Sequence, residues 1–229
     1  IALESTDGKQ RKLPVEVDIS GPRLRAQGSR LTFEAPSRLV NPNGATKSPA
    51  SDPGEPPVVA FHSFKGGVGR TTSALSLAVQ ITKRNKESRV LLVDADLEAP
   101  GITFMLDERL PDPPVSFADL LALVHGDATG GEDAIDLVAT RLQDSCFDGL
   151  MVLPAFRSIA GYQDLTIRPE HVLRSSECPF LIVDIIRKLA RRCACSIVIV
   201  DLRAGVSEVA AGVLLDPSVR RVLVTGLGG

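Results

Sequence analysis

The chain has 229 residues, of which 44% are hydrophobic and 24% charged, and its formal net charge is −2. These values suit a globular protein with one large domain, or one domain and an appendage, and they exclude binding to nucleic acid through overall charge. The four cysteines do not form a disulfide-scaffold pattern, and neither a secretory signal nor an apolar run of about 18 residues is present. A cytoplasmic protein with reduced cysteines is therefore expected.

Residues 1–57 are rich in proline and glycine and show little sustained apolar periodicity. Alternating apolar residues predict a short strand over 13–19 and a briefer one at 31–33. The prolines and glycines of 41–57 predict a linker. We therefore predict an N-terminal β or irregular appendage at 1–57 and a main domain over 58–229.

Within the main domain, short apolar runs alternate with amphipathic helical patterns. The runs that predict strands are 58–61, 89–93, 150–153, 196–200 and 221–225. The patterns that predict helices are 71–83, 117–124, 134–142, 180–192 and 207–215. Because the strand runs are continuously apolar, they are expected to be buried on both faces. The predicted fold class is therefore α/β, a mostly parallel sheet with helices on both faces.

The first strand leads into the sequence Lys-Gly-Gly-Val-Gly-Arg-Thr-Thr at positions 65–72. A strand, a glycine-rich turn and a helix in this order are typical of a P-loop that binds nucleotide phosphates. Glycine lets the backbone curl with its N–H groups pointing inward, and the positive end of the helix faces the same point. Thr71 offers a hydroxyl where Mg²⁺ needs a ligand. The predicted nucleotide-binding residues of the loop are Gly66, Gly67, Val68, Gly69, Arg70, Thr71 and Thr72.

Two predicted strands end in carboxylates, at Asp94-Ala95-Asp96 and at Asp201. Ligands of parallel sheets bind at the carboxyl ends of the strands, so these side chains are expected to face the phosphates. Asp201 follows a run of four apolar residues, as a buried strand that delivers a Mg²⁺-linked carboxylate would, and is predicted to be linked to Mg²⁺. Aspartates that only cap a helix are the alternative for the first pair.

The loop that follows Asp201 is predicted to sense the γ-phosphate through the N–H of Gly205. Arg203 in this loop has three interpretations: an ion-pair partner of Asp201, a phosphate contact or a solvated side chain. His62 is interpreted as a packed residue rather than a catalytic one. The basic residues of 187–192 are interpreted as the solvated face of a helix, with contact to DNA or a partner as the alternative.

The motif at 65–72 resembles the deviant Walker A motif of the ParA/MinD family of P-loop ATPases, and the resemblance extends over 58–229. It implies ATP and Mg²⁺ as cofactors and a homodimer that sandwiches nucleotide, with Lys65 reaching the partner's phosphates. It also implies catalytic roles for Lys65, Asp94 and Asp96, of which the two aspartates would orient the attacking water or hold Mg²⁺ through water. The implied metal-site residues are Thr71, Asp94 and Asp201. The family has a second lysine where this chain has Arg70, which is bulkier and planar but can bind phosphate in a bidentate manner.

The leading hypothesis is a Mg²⁺-dependent switch ATPase that hydrolyses ATP slowly unless a partner protein stimulates it. The alternative, which Arg70 favours, is a non-hydrolysing nucleotide-binding module with a regulatory or scaffolding role in a larger protein. A kinase or synthetase would need an acceptor-substrate pocket, for which no motif is visible. Related domains continue past a strand like 221–225, so the resemblance implies a base-recognition segment beyond residue 229. DNA, membrane or protein cargo is not specified by the sequence.

Overall fold

The computed structural model describes residues 2–4, 10–12, 54–126, 131–158 and 181–226. The chain forms two compact units, residues 1–34 and 35–229. In the first unit, strands β1 (Ala2–Glu4) and β2 (Gln10–Lys12) pair in antiparallel orientation. The strands predicted over 13–19 and 31–33 lie outside the described residues, as does most of the predicted linker. The domain boundary after residue 57 stays a prediction.

The second unit contains the α/β elements predicted from the sequence. Its strands are β3 (Val58–His62), β4 (Val90–Asp94), β5 (Cys146–Phe147), β6 (Leu150–Leu153), β7 (Ile197–Asp201) and β8 (Arg220–Leu223). Its helices are α1 (Arg70–Arg84), α2 (Gly101–Met105), α3 (Phe117–Gly126), α4 (Glu132–Leu142), α5 (Leu181–Arg192) and α6 (Glu208–Leu214), with a 3-10 turn at Gln143–Ser145. Within the described ranges, no helix is long and apolar enough to cross a membrane.

The strands of the second unit form one sheet in the order β5-β6-β4-β7-β3-β8. All neighbouring pairs are parallel except β5 and β6, which are antiparallel. The mostly parallel sheet confirms the predicted fold class. The sequence patterns did not predict β5 or α2, which are two and five residues long.

Alternate residues of each central strand face opposite sides of the sheet, because successive side chains of a strand point in opposite directions. Leu91 and Val93 of β4 belong to a core shared with α3, α4, α5 and α6. Val90 and Leu92 belong to a second core shared with α1 and α2. Each fully buried aliphatic side chain contributes roughly 1.5–3 kcal/mol, so the two apolar layers fix the central strands firmly. The carboxyl ends of β4 and β7 are thereby held side by side, with Asp94 and Asp201 as register partners.

The basic residues of α5 are ion-paired rather than forming a free basic face. Arg187 is only 4% exposed, lies 3.9 Å from a Glu55 carboxylate oxygen and donates a 2.6 Å hydrogen bond to Ser218. The remaining pairs are Arg191–Glu55, Lys188–Glu132, Lys188–Asp184, Arg192–Glu132 and Arg192–Asp136. The interpretation of these residues as a solvated face is therefore wrong for Arg187. Contact with DNA through this helix would require these pairs to break.

Candidate functional site

The loop between β3 and α1 has the backbone geometry of a phosphate-binding turn. Gly67 and Gly69 have φ angles of 75° and 87°, in the left-handed region that costs other residues about 1 kcal/mol or more. No heavy atom lies within 4 Å of a Cβ built at either position. Glycine is therefore required here by backbone conformation and not by crowding.

Helix α1 begins directly after this loop, with Gly69 as its N-cap. The carbonyl of Gly69 accepts the first helical hydrogen bond, from Ser73 N–H at 2.9 Å. The N–H groups of residues 70–72 precede that bond and have no partner within the helix. No acidic residue lies in the first turn to neutralise the helix dipole. The start of α1 is thus a positive, hydrogen-bond-donating end suited to an anion.

A cavity of about 400 Å³ opens at this point. The P-loop lines it with Ser63, Gly66, Gly67, Gly69, Arg70, Thr71 and Thr72, and the other lining residues are Asp96, Ala99 and Ala204. A volume of this size falls in the usual range for small-molecule sites. Of the other predicted binding residues, Val68 is half-buried and does not line the cavity, and Lys65 is exposed. The structure thus brings most of the predicted loop residues together around one cavity.

Arg70 turns its guanidinium toward two carboxylates. Nε donates to Oδ1 of Asp201 at 2.7 Å, and Nη2 donates to Oδ2 of Asp96 at 2.9 Å. Nη1 lies 3.4 Å from the hydroxyl oxygen of Ser63. Arg70 is 8% exposed, so these contacts are made in a site largely shielded from water. The sequence predicted a phosphate-binding role for Arg70 but not this ion-pair network.

Asp201 is fully buried, and burial raises the pKa of its carboxyl above the ordinary range. The hydroxyl of Thr71 and the guanidinium of Arg70 oppose this rise by stabilising the ionised form. Oδ2 of Asp201 is buried and has no hydrogen-bond partner among the residues that the structure describes. A buried carboxylate oxygen without a partner is costly unless a ligand completes it, so this atom is a candidate ligand for a cation.

Asp96 shapes the loop that follows β4. Its Oδ1 accepts hydrogen bonds from the backbone N–H groups of Glu98 at 3.3 Å and Ala99 at 2.9 Å, while Oδ2 accepts from Arg70. An aspartate that accepts from the backbone two or three residues ahead stabilises a turn. Asp96 therefore lies on the wall of the cavity and also fixes the loop beside it.

Asp94 accepts hydrogen bonds from neutral donors, unlike Asp96 and Asp201, which contact the guanidinium of Arg70. Its Oδ2 accepts hydrogen bonds from the backbone N–H and the hydroxyl of Thr103, both at 2.8 Å, and its Oδ1 accepts from Asp96 N–H at 3.3 Å. Burial raises its pKa to about 7, although the Thr103 hydrogen bonds lower it. The Thr103 hydroxyl in turn accepts from Ala155 N–H at 2.9 Å. Asp94 therefore ties α2 to the ends of β4 and β6, which argues against its use as a metal ligand.

The loop after β7 contacts two other segments, the one that follows β3 and the loop after β4. The N–H of Gly205 donates to the carbonyl of Ser63 at 2.9 Å, so this donor is already used within the protein. Nη2 of Arg203 lies 2.5 Å from a carboxylate oxygen of Glu98, in the loop after β4. Of the three interpretations of Arg203, the structure shows an ion pair, but with Glu98 and not with Asp201.

Gly101, the first residue of α2, packs directly on Thr71. A Cβ at position 101 would lie 2.7 Å from Cγ2 of Thr71 and 2.8 Å from its Oγ1. Any larger side chain would therefore push the Thr71 hydroxyl, a predicted Mg²⁺ ligand, out of place. Sequence reasoning missed this role, since Gly101 reads only as a turn residue until α2 is placed against α1.

His62 and two cysteines are packed groups. His62 is 5% exposed, and burial, followed by the charge of Arg70, lowers its pKa, while a hydrogen bond to the backbone of Arg203 opposes this. Its ring lies edge-on to Phe64, with the ring centroids 5.2 Å apart.

Burial raises the pKa values of Cys193 and Cys195 to about 11 and about 12, so both thiols stay protonated at neutral pH. Among the described residues, Cys193, Cys195 and Cys146 are free cysteines.

Comparisons with known proteins give a family match and one curated relative. A family model described as an AAA domain matches residues 57–122. An uncharacterized ATP-binding protein of Methanocaldococcus jannaschii is 30% identical over 149 residues, which are 63% of this chain and 50% of that protein. The chain therefore spans about half the length of this relative.

Several solved structures are similar at low sequence identity. A ParA family ATPase from Chlorobium tepidum has a TM-score of 0.45 at 21% identity, and the match covers 69% of this chain and 56% of that one. A plasmid partition protein from Borrelia burgdorferi has a TM-score of 0.43 at 20% identity, covering 70% and 61%. A putative plasmid partition protein of the same organism, bound to AMPPNP, has a TM-score of 0.47 at 19% identity, covering 74% and 61%.

The parallel sheet, the glycine-rich turn between β3 and α1, and the family match together define a P-loop domain. The deviant Walker A motif at 65–72 lies inside the matched range, and the resemblance predicted from it is confirmed. The chain thus carries a P-loop domain whose motif at 65–72 resembles that of the ParA/MinD family. The Arg-variant subgroup and the roles of individual site residues stay predictions.

Proposed function

We propose that the second unit binds ATP, with the phosphates seated in the P-loop cavity. The observation that carries this proposal is the cavity of about 400 Å³ at the start of α1, where the N–H groups of residues 70–72 have no partner within the helix. The left-handed glycines at 67 and 69 support it, because they open the loop backbone toward an anion. The ATP-binding description of the M. jannaschii relative supports the choice of nucleotide.

Mg²⁺ fits two groups: Thr71, which lines this cavity, and Asp201, which is hydrogen-bonded to the lining residue Arg70. Oδ2 of Asp201 is a buried oxygen without a partner, and the Thr71 hydroxyl interacts with the same carboxylate. In nucleotide sites Mg²⁺ keeps several waters and takes one or two protein ligands beside the phosphates, so these two groups suffice. Within the described ranges, no group of three or more His, Cys, Asp or Glu side chains could hold a metal by itself. The bound ion would neutralise phosphate charge, while Asp94 is left out because both of its oxygens accept hydrogen bonds.

The reaction proposed for this site is slow attack of water on the γ-phosphate. Asp96, on the cavity wall and 2% exposed, would orient the water, and the amides that begin α1 would stabilise charge on the phosphate oxygens. Lys65 is exposed, and no ion pair to it is found among the described residues, so it is free to reach a second copy of the chain. A homodimer around nucleotide, and a partner protein that accelerates turnover, complete the proposed switch.

The alternative is a nucleotide-binding module that does not hydrolyse ATP. The observation that favours it is the engagement of Asp96 and Asp201 by the same guanidinium. Both oxygens of Asp96 already accept hydrogen bonds, Oδ2 from Arg70 at 2.9 Å and Oδ1 from backbone N–H groups, so less of the carboxylate is left to orient a water. Under this alternative the domain would dimerise or regulate through nucleotide occupancy alone.

Nucleotide binding is tested by calorimetric titration of ATP, with Mg²⁺ and with EDTA, into wild type and Thr71→Val. Valine keeps the shape of threonine but removes the hydroxyl, so affinity should fall about tenfold or more with Mg²⁺ and change little with EDTA. Ser76→Ala, on an exposed position of α1, is the matched control. Absence of ATP binding by the wild type, or full affinity of Thr71→Val with Mg²⁺, would overturn the proposal.

Turnover and assembly are tested separately. Phosphate release at saturating ATP is compared between wild type and Asp96→Ala, and sedimentation velocity is measured with and without ATP. Release that depends on Asp96, and an ATP-dependent dimer that Lys65→Ala weakens, are expected. ATP binding without Asp96-dependent release would instead establish the non-hydrolysing module.

A further inference from the structure

The guanidinium of Arg70 occupies a position between two acidic strand ends. Its Nε and Nη2 donate to Asp201, the last residue of β7, and to Asp96, which lies in the loop after β4. The side chain of Arg70 is 9% exposed, and those of Asp96 and Asp201 are 3% and 0% exposed. The planar guanidinium of arginine can donate hydrogen bonds to two carboxylates from different nitrogens. The single ammonium group of lysine cannot do so in the same geometry.

The charges of Arg70, Asp96 and Asp201 determine whether a metal ion can also bind at this site. Asp96 and Asp201 bring two carboxylates into a water-poor site, and Arg70 is the cation that touches both. Oδ2 of Asp201 still lacks a partner, so the site has an oxygen to offer a metal ion. At an effective dielectric constant of about 20, one fixed positive charge at roughly 5 Å weakens the binding of a cation on the order of a hundredfold or more.

We propose that Arg70 is a positioning residue that acts as the resident counter-cation of the phosphate site. It holds Asp96 and Asp201 in their bound geometry and keeps free divalent cations out, so that Mg²⁺ enters together with nucleotide and not before it. The order of entry rests on the proposed function, but the role as counter-cation does not. Arg70 is thus assigned to the carboxylates rather than to the phosphates.

The first experiment measures Mn²⁺ binding to the nucleotide-free protein by electron paramagnetic resonance. Wild type should bind Mn²⁺ only weakly, and Arg70→Met should bind it more tightly by at least about a hundredfold, since Mn²⁺ carries two charges. The gained site should disappear in Arg70→Met/Asp201→Asn. Arg70→Lys retains the charge and should bind Mn²⁺ nearly as weakly as wild type. Arg84→Met, at the exposed last turn of α1, is the matched control.

Two results of this experiment would overturn the proposal. Equal Mn²⁺ affinity in wild type and Arg70→Met would overturn the counter-cation role. A gained site that survives the Asp201→Asn change would overturn it as well, because the metal would then lie elsewhere. Circular dichroism and melting curves verify that each variant is folded.

A second measurement needs only the wild-type protein. The Nε–H of Arg70 donates at 2.7 Å to a buried carboxylate, so it should give a slowly exchanging signal in nitrogen-15 NMR spectra, assigned by its loss in Arg70→Lys. Millimolar free Mg²⁺ should leave this signal unchanged. Its disappearance or shift on addition of free Mg²⁺ would overturn the proposal even if Arg70→Met fails to fold.

Titration with ATP separates this inference from the proposed function. If wild type binds no ATP, the proposed function fails, while the Mn²⁺ and NMR results still decide the role of Arg70. If ATP binds and Mn²⁺ affinity rises at least tenfold in its presence, metal entry with nucleotide is established. If ATP binds without raising Mn²⁺ affinity, the order of entry is wrong.

Discussion

Asp94 and Asp201 occupy equivalent positions and have opposite surroundings. They end the neighbouring parallel strands β4 and β7, they are register partners, and both are 0% exposed. Asp94 accepts neutral hydrogen bonds from Thr103 and from the backbone, and its pKa rises to about 7. Asp201 is held by the guanidinium of Arg70 and retains one oxygen without a partner.

The difference between the two carboxylates comes from the helix that contacts each of them. α2 presents a neutral N–H and a hydroxyl to Asp94, whereas α1 presents a cation to Asp201. Burial raises the pKa of both groups, and an opposing cation acts on Asp201 but not on Asp94. Two aspartates at the ends of adjacent strands can therefore serve different purposes, one structural and one chemical.

The largest expected effect is that of Asp201→Asn on stability. The change leaves the buried guanidinium of Arg70 with Asp96 as its one anionic partner, and breaking a buried ion pair costs about 3–5 kcal/mol. Urea unfolding at pH 7 measures the loss. Asp94→Asn is the matched variant and should cost clearly less, because no cation in the described part of the chain pairs with Asp94. Equal losses would contradict the difference drawn between the two carboxylates.

The second effect is the dependence of stability on pH through Asp94. Its folded-state pKa of about 7 lies above the ordinary 3.8, so the folded protein binds more protons than the unfolded chain between about pH 4 and 7. The free energy of unfolding therefore falls as pH rises through this window, by at most about 1.4 kcal/mol per pH unit, and levels off above it. Unfolding profiles of wild type and Asp94→Asn should converge or cross with rising pH; parallel profiles would show that Asp94 does not titrate there.

The third prediction concerns the group that makes Asp94 different. Thr103→Val removes the hydroxyl that donates to Asp94 and accepts from Ala155 N–H, leaving a buried N–H without its partner. A loss of about 1–3 kcal/mol is expected on urea unfolding. Thr140→Val, at an exposed position of α4, is the control and should change stability little. A neutral Thr103→Val would mean that α2 is anchored by its apolar contacts instead.

The smallest effect is expected where the two loops meet at the surface. Glu98 and Arg203 join the loops after β4 and β7, but their side chains are 59% and 41% exposed. Glu98→Gln should therefore cost only about 0.2–1 kcal/mol, and the difference from wild type should vanish in high salt. Glu108→Gln, an exposed glutamate near α2, is the control. A larger loss that resists salt would indicate that this pair locks the loops together.

The elements that were predicted correctly have strong local signals. Leu150–Leu153 was predicted to the residue, and the strands at 58, 90 and 197 were placed within one residue, because continuous apolar runs identify doubly buried strands. α2 was missed because it is five residues long and is held by Thr103 and Gly101 rather than by its own periodicity. β5 was missed because a strand of two residues is too short to show an alternating pattern of apolar residues.

The site residues also fall into two groups, those located from the sequence and those whose partners were not predicted. The glycine-rich turn and the strand-end carboxylates were located from their spacing, since a parallel sheet necessarily gathers its carboxyl ends at one edge. The partners of those groups were not predicted. The direction of the Arg70 side chain, the hydrogen bond from Gly205 to Ser63 and the contact of Gly101 with Thr71 all join residues far apart in sequence.

The sequence by itself determined the P-loop, the parallel sheet and the identity of the charged groups at its edge. These depend on local conformation and on the burial of continuous apolar runs, both of which are encoded within a few neighbouring residues. Only the tertiary structure decided which carboxylate meets a cation and which meets a hydroxyl. The reason is physical: hydrogen bonds and ion pairs require distances near 3 Å, and those are set by how helices pack on the sheet.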